Sequence, residues 1–316
     1  MKVEETYKTT AVQPERWRHL CELAAQVRAL APWEWLLETD LFGIEMPGTR
    51  DTVFVSVMGN RGEHFAVAVY PGARAISQFW SIQNDEDVEP ERIFEIPHVQ
   101  LSFEGRDQLE TEERHVMKQM GLSFRGKNWP LFRSWKPGFV RWFLDASEAE
   151  MLAVALEQLL DVAPRLRENP DLAWPSEHPE MYLVRVFHSE GSRAWTDELR
   201  EIPESPAPPI QIKIETDKIR RCCALPAVQN EMELDVVLMP MAIREGKERP
   251  FFPYLMIMVE SESGVILASE FLTFEVSPAD IWPRTPLLLI WRRPWIMPFD
   301  CVILTREFTV KDYSRQ

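Results

Sequence analysis

The chain has 316 residues, 45% of them hydrophobic and 27% charged, with 35 Lys+Arg against 50 Asp+Glu for a formal charge of −15. That composition supplies cores for two domains and excludes a wholly disordered chain, and the negative balance disfavours a protein whose whole surface binds duplex nucleic acid or anionic membrane. Apolar runs such as 254–259 and 287–290 are far too short to cross a bilayer, and residues 1–5 are polar with no apolar stretch behind them, so a cytoplasmic protein without membrane association or secretory signal is expected.

Pro14 opens a helix running to about residue 30, with Trp17, Leu20, Cys21, Ala24 and Val27 on one stripe and Ala31-Pro32 ending it. Residues 52–58 and 64–70 flank Gly59-Asn60-Arg61-Gly62 and read as a hairpin. Both of its faces are apolar or small, which suits a sheet with helices over part of its second side. A helix follows over 72–82, an acidic loop over 85–91 and a strand near 99–103. Residues 107–120 pattern as a helix with Leu109, Val116, Met117 and Met120 on its stripe and Glu113 as the one polar exception. Asp107 with Glu110 three residues on reads as its cap, and Gly121 terminates it. Strands are expected at 131–135 and 139–144 around a Pro137-Gly138 turn. The next helix opens on overlapping capping boxes at 145–150 and carries Leu152, Leu156 and Leu159 on one face.

Pro164, Pro170, Pro175 and Pro179 then crowd the chain and place a domain boundary near 175. The expected class is α+β. Residues 1–175 form an N-terminal mixed sheet flanked by helices, and residues 176–316 form a β-rich α+β C-terminal domain. Strands in that second part are expected at 182–187, 194–201, 210–214, 231–239, 253–259, 265–271 and 299–305, with a short helix starting at 277–280.

Common catalytic signatures are missing. There is no G-x-G, no G-x-x-x-x-G-K-[ST] and no G-x-S-x-G, which removes the usual dinucleotide, P-loop and nucleophile-elbow motifs. Cys21, Cys222, Cys223 and Cys301 form no C-x-x-C, and four reduced thiols are expected. No His pair has the spacing of a helical zinc site, so neither metal nor cofactor is expected.

Charge is distributed unevenly. Residues 122–144 hold Arg125, Lys127, Arg133, Lys136 and Arg141 with no acid, interleaved with Phe124, Trp129, Phe132, Trp135, Phe139, Trp142 and Phe143. Residues 281–299 hold Arg284, Arg292 and Arg293 with Trp282, Trp291 and Trp295, again without an acid. Basic heads beside π-faces suit a phosphorylated, nucleotide or single-stranded ligand. The candidate binding set is Arg125, Lys127, Asn128, Trp129, Arg133, Trp135 and Arg141, with Trp291, Arg292 and Arg293 as a secondary set. The competing arrangement buries the aromatics as core and pairs the basic heads with the protein's own acidic helices. Glu63 and His64 at the hairpin turn are a further secondary candidate, although adjacent strand residues face opposite ways and a structural His is the simpler reading.

The stretches Leu30-Ala-Pro-Trp-Glu-Trp35, Asp40-Leu-Phe-Gly43, Val57-Met-Gly59, Gly62-Glu-His-Phe-Ala66 and Phe124-Arg-Gly-Lys-Asn-Trp-Pro-Leu-Phe-Arg-Ser-Trp135, with Arg249-Pro-Phe-Phe-Pro-Tyr-Leu255 later, resemble an uncharacterised bacterial two-domain family, N-terminal and C-terminal domains both of unknown function. The resemblance implies a bacterial cytosolic protein and no particular activity. Some relatives look to carry a C-terminal Cys/His zinc motif, which this sequence lacks.

The functional expectation is a binding or interaction module with a basic-aromatic surface, its partner an anionic small molecule, a nucleotide or a protein. The alternative is an enzyme acting on a phosphorylated or nucleic-acid substrate through a degenerate RNase H-like second domain, with Asp235, Glu260 and Glu307 as its only available carboxylates. The reading leans away from catalysis.

Overall fold

The computed structural model of the protein describes residues 12–84, 96–178, 180–188, 194–201, 203, 232–244, 246 and 248–272, with strand pieces at 301–302, 304–305 and 308–309. The expected strand at 210–214, the helix start at 277–280 and the acidic loop at 85–91 lie outside the described residues. Two compact units are present: Met1–Lys136 with Arg141–Pro206, and Pro137–Val140 with Ala207–Gln316. The fold is α+β.

The first unit is built on one seven-stranded mixed sheet. Its elements in chain order are α1 (Pro14–Leu30), β1 (Phe42–Glu45), β2 (Thr52–Met58), β3 (Ala66–Pro71), α2 (Gly72–Gln83), β4 (His98–Glu104), α3 (Thr111–Gln119), β5 (Trp129–Trp135), α4 (Ala146–Glu168), β6 (Met181–His188) and β7 (Ala194–Glu201). Strand order is β5-β4-β3-β2-β1-β6-β7. Every pairing is antiparallel except β1 with β6.

Both sheet faces are covered, as the two-sided apolar hairpin requires. One core joins Trp17, Leu20 and Val27 of α1 and Leu152, Leu156 and Leu159 of α4 to Val55, Val67 and Leu101 of the sheet. A second core joins Ala75, Ile76 and Phe79 of α2 to Phe54, Ala68 and Tyr70 on the other face. Burial of each large aliphatic side chain stabilises the fold by roughly 1.5–3 kcal/mol. The start of α4 is a reciprocal capping box between Asp145 and Glu148. Helix α3 is capped differently from the expectation. Glu110 and Glu113 form its box, and Asp107 lies in a separate 3-10 turn, Arg106–Gln108. Gly43 marks a close approach between β1 and β6, because a Cβ there would lie 2.7 Å from the Tyr182 ring.

The domain boundary lies later than residue 175, as β6 and β7 belong to the first sheet. The parallel register Gly43↔Val184 and Ile44↔Arg185 draws β6 onto β1, and the prolines mark only the connection from α4 to β6. The strand expected at 139–144 does not form. Trp142 makes one bridge to Ser134 in the first unit, whereas Phe139 bridges Phe251 in the second.

The second unit holds β8 (Met232–Leu238), β9 (Tyr254–Glu260) and β10 (Ile266–Leu272), with the short β11 (Cys301–Val302) running parallel beside β8. Leu234, Tyr254, Met256, Met258 and Leu272 form its small core. No helix among the described residues is long and apolar enough to cross a membrane.

Candidate functional site

A groove of about 770 Å³, open to solvent, lies where the 3-10 turn, α3 and the connection to β5 meet. Its lining includes Arg106, Arg114, Lys118 and Arg125 with Phe124 and Trp129, and no carboxylate. Helix periodicity aligns Arg114 and Lys118, four residues apart, on one side of α3. The loop that brings Arg125 back is set by the end of that helix. Gly121 adopts φ 73°, its N–H donates to the Lys118 carbonyl, and the Leu122 N–H donates to the Met117 carbonyl at 2.9 Å. Those two bonds make a Schellman cap, which favours glycine at the left-handed position. Gly126, at φ 60°, turns the chain again before β5.

Two contacts shape the inner wall. The Arg106 guanidinium lies over the Trp129 indole, 5.9 Å from its centre. Phe124 leans on the same indole at 5.6 Å and 58°. Arg114 donates to the Thr111 hydroxyl at 2.9 Å. Among the described residues none of these four basic heads is held in an ion pair, whereas Arg133, Arg165, Arg185 and Arg200 all are. Four like charges without counter-charges in one concavity raise the local potential toward anions. Charges at the end of α3 also answer the helix dipole. Arg106 and Arg125 come from other segments, however, so the cluster exceeds what one helix end requires.

The structure divides the residues expected from sequence. Arg125 and Trp129 line the groove. Lys127 is exposed one residue beyond Gly126, where its charge helps lower the Asp107 carboxyl, chiefly held down by a hydrogen bond from Gln108. Asn128 is tied back to the fold: its side-chain oxygen accepts from Arg28 Nε at 2.8 Å, and Arg28 itself lies over the Trp33 and Phe65 rings. Arg133 is not a surface residue. It is 9% exposed and bonded to Glu113 of α3, the polar exception in that helix's stripe. Trp135 sits at the far end of β5, six residues or roughly 20 Å from Trp129 by strand rise, and stacks on His98 at 5.2 Å. Arg141 is exposed beyond β5 and does not line the groove. The expected set therefore splits into a groove half and a structural half. Arg106, Arg114 and Lys118 complete the groove and were not among the sequence candidates.

The secondary candidates separate too. His64 does not pair with Glu63, which is exposed. Its Nε2 lies 2.8 Å from the Gln100 amide nitrogen, which donates to it, and its Nδ1 lies 3.4 Å from Glu104. Trp291, Arg292 and Arg293 lie outside the described residues. In the second unit, β8, β9 and β10 form a meander with the short β11 parallel beside β8, and it holds the carboxylates named for the RNase H-like alternative. Its carboxylates do not converge. Asp235 pairs across to Ile257, one residue out of phase with buried Met258, so Asp235 and Glu260 point to opposite faces of the sheet. Glu307 is outside the described residues. Among the described residues no three His, Cys, Asp or Glu side chains cluster as a metal site.

A family model described as Domain of unknown function (DUF7309) matches residues 17–185, more than half of the chain. A second, Domain of unknown function (DUF6930), matches residues 218–298. No curated protein and no solved structure matches the sequence.

Proposed function

We propose a function for this chain, which belongs to the DUF7309 family, from the groove itself: the first unit is a binding module for a multiply charged anionic ligand. One observation carries the reading. Arg106, Arg114, Lys118 and Arg125 share a concavity with no lining carboxylate, in a protein of formal charge −15. On a strongly acidic chain, a concentrated positive patch that forms no ion pair among the described residues keeps its field directed at solvent, where it attracts anions. The volume falls within the range of small-ligand sites, roughly 300–1,000 Å³. The groove's openness, and the lack of a carboxylate or imidazole among its lining residues, favour binding over catalysis.

The test is a calorimetric titration of the full chain at low salt with a nucleoside triphosphate and with a single-stranded oligonucleotide. Binding is expected, weakening with salt by a log-log slope of about 0.7 per phosphate neutralised for the single strand. The pair Lys118→Ala and Arg125→Ala, both exposed positions, should remove most of the affinity with unchanged thermal unfolding. No binding by the parent at low salt, or the same affinity in the double variant, overturns the proposal.

A further inference from the structure

Resting on that reading, we infer that the groove recognises its ligand by phosphate charge alone: it takes an oligophosphate and leaves any attached nucleobase outside. The two aromatic side chains in the lining are already engaged. Trp129 is partly buried against the main core, leans on Phe124 and lies beneath the Arg106 guanidinium. Phe124 is likewise packed against the core and against Trp129. A base stacking on that face of the indole would compete with Arg106, one of the four cations the ligand's phosphates need. The aromatics therefore serve as a platform for the protein's own arginine. Stacked in this way, a guanidinium keeps its fork free to bond phosphate oxygens in plane while its face is held.

The number and origin of the cations set the size of the ligand. Three arginines each present a fork that matches two oxygens of one phosphate, and the lysine acts as a point charge. They come from the 3-10 turn, two successive turns of α3 and the loop after Gly121, and together line about 770 Å³. One orthophosphate would fill only a small part of a groove of about 770 Å³, whereas a linear chain of phosphates can extend along it past heads from three segments. The ligand chemistry is a run of linked phosphates, whether an inorganic oligophosphate or the tail of a nucleotide.

The experiment compares tripolyphosphate, ATP, adenosine and orthophosphate as titrants of the full chain at one low ionic strength without divalent cations. Tripolyphosphate should bind at least as tightly as ATP, with adenosine silent and orthophosphate far weaker. Arg106→Gln should weaken tripolyphosphate and ATP by the same factor. ATP binding about fivefold or more tighter than tripolyphosphate, the worth of one stacked base, would overturn the inference while leaving the groove reading intact, provided Lys118→Ala still weakens both. Orthophosphate matching tripolyphosphate would also overturn it, in favour of a single-phosphate site. Failure of both ATP and tripolyphosphate to bind would bring down the groove reading and this inference together.

Discussion

Arg133 of β5 donates both terminal guanidinium nitrogens to the two carboxylate oxygens of Glu113 on α3, at 2.6 and 2.9 Å. Both side chains are buried, at 11% and 2% side-chain exposure. Arg133 also lies over the Phe143 ring, 5.1 Å from its centre. A bidentate pair of this kind is geometrically strong, yet desolvation of both charges offsets most of its attraction. Glu113→Leu alone should therefore cost about 3–5 kcal/mol, because it leaves a buried guanidinium without its partner. The double replacement Glu113→Leu with Arg133→Met should recover the part of that loss owed to the unpaired guanidinium, though not the α3 capping box that Glu113 also supplies. Urea unfolding of the single and double variants measures both; a double variant as unstable as the single would show the pair to be worth more than an apolar contact of the same shape.

Leu156 of α4 has no solvent exposure and lies in the main core. Leu156→Ala should destabilise the first unit by about 2–5 kcal/mol, through lost transfer energy and the cavity left behind. Denaturant midpoints at constant m-value give the number directly.

His98 gives the fold a pH dependence. Burial pushes its pKa down from 6.5 to about 4, against the opposing effect of hydrogen bonds to the Ile96 carbonyl and Gln100. The ring stays neutral in the folded state, while the unfolded chain takes up a proton near pH 6.5. The contribution is thus complete above that pH and is lost as the pH falls from 6.5 toward 4, by up to about 3 kcal/mol. Chemical denaturation at pH 7.5 and pH 5 should show the drop, and His98→Gln should flatten it.

Cys21 is 1% exposed, and its thiol is pushed up to about 12, chiefly by burial, with the Glu22 and Glu113 carboxylates adding to the effect. A thiol held protonated and out of solvent is a poor nucleophile. Cys21 should resist a maleimide in the native protein and be labelled fully on denaturation, where four thiols in all should count. Peptide mapping by mass spectrometry separates it from the other three.

The sequence made some of this legible and hid the rest for identifiable reasons. The α4 capping box and stripe, the β2–β3 hairpin and its two-sided covering are local patterns, and each is present. Glu113 stood out as a polar residue on an apolar stripe, but nothing local paired it with Arg133 across a loop and a strand. The groove was half visible. Arg125 and Trp129 lie in an acid-free window, whereas Arg106, Arg114 and Lys118 are interleaved with Asp107, Glu110, Glu112 and Glu113 and disappear in any average over charge. Their signal was the i, i+4 spacing of Arg114 and Lys118, which puts two cations on one face of the helix. The boundary at 175 failed because proline density reports chain stiffness, and the parallel docking of β6 onto β1 is a long-range event with no local mark.

That docking has a consequence for how the protein is made. On the ribosome, β1 to β5 emerge first and can pair as neighbours in chain order apart from the α2 and α3 excursions. Until Met181–His188 has left the exit tunnel, one side of Phe42–Glu45 remains an open strand edge, with Val184 not yet there to cover it. Open edges template pairing between separate chains. Distant pairings also close slowly, because the intervening chain must be ordered first. A nascent chain halted between α4 and β6 therefore still presents that open edge, and synthesis speed through the proline-bearing connector sets how long it does so.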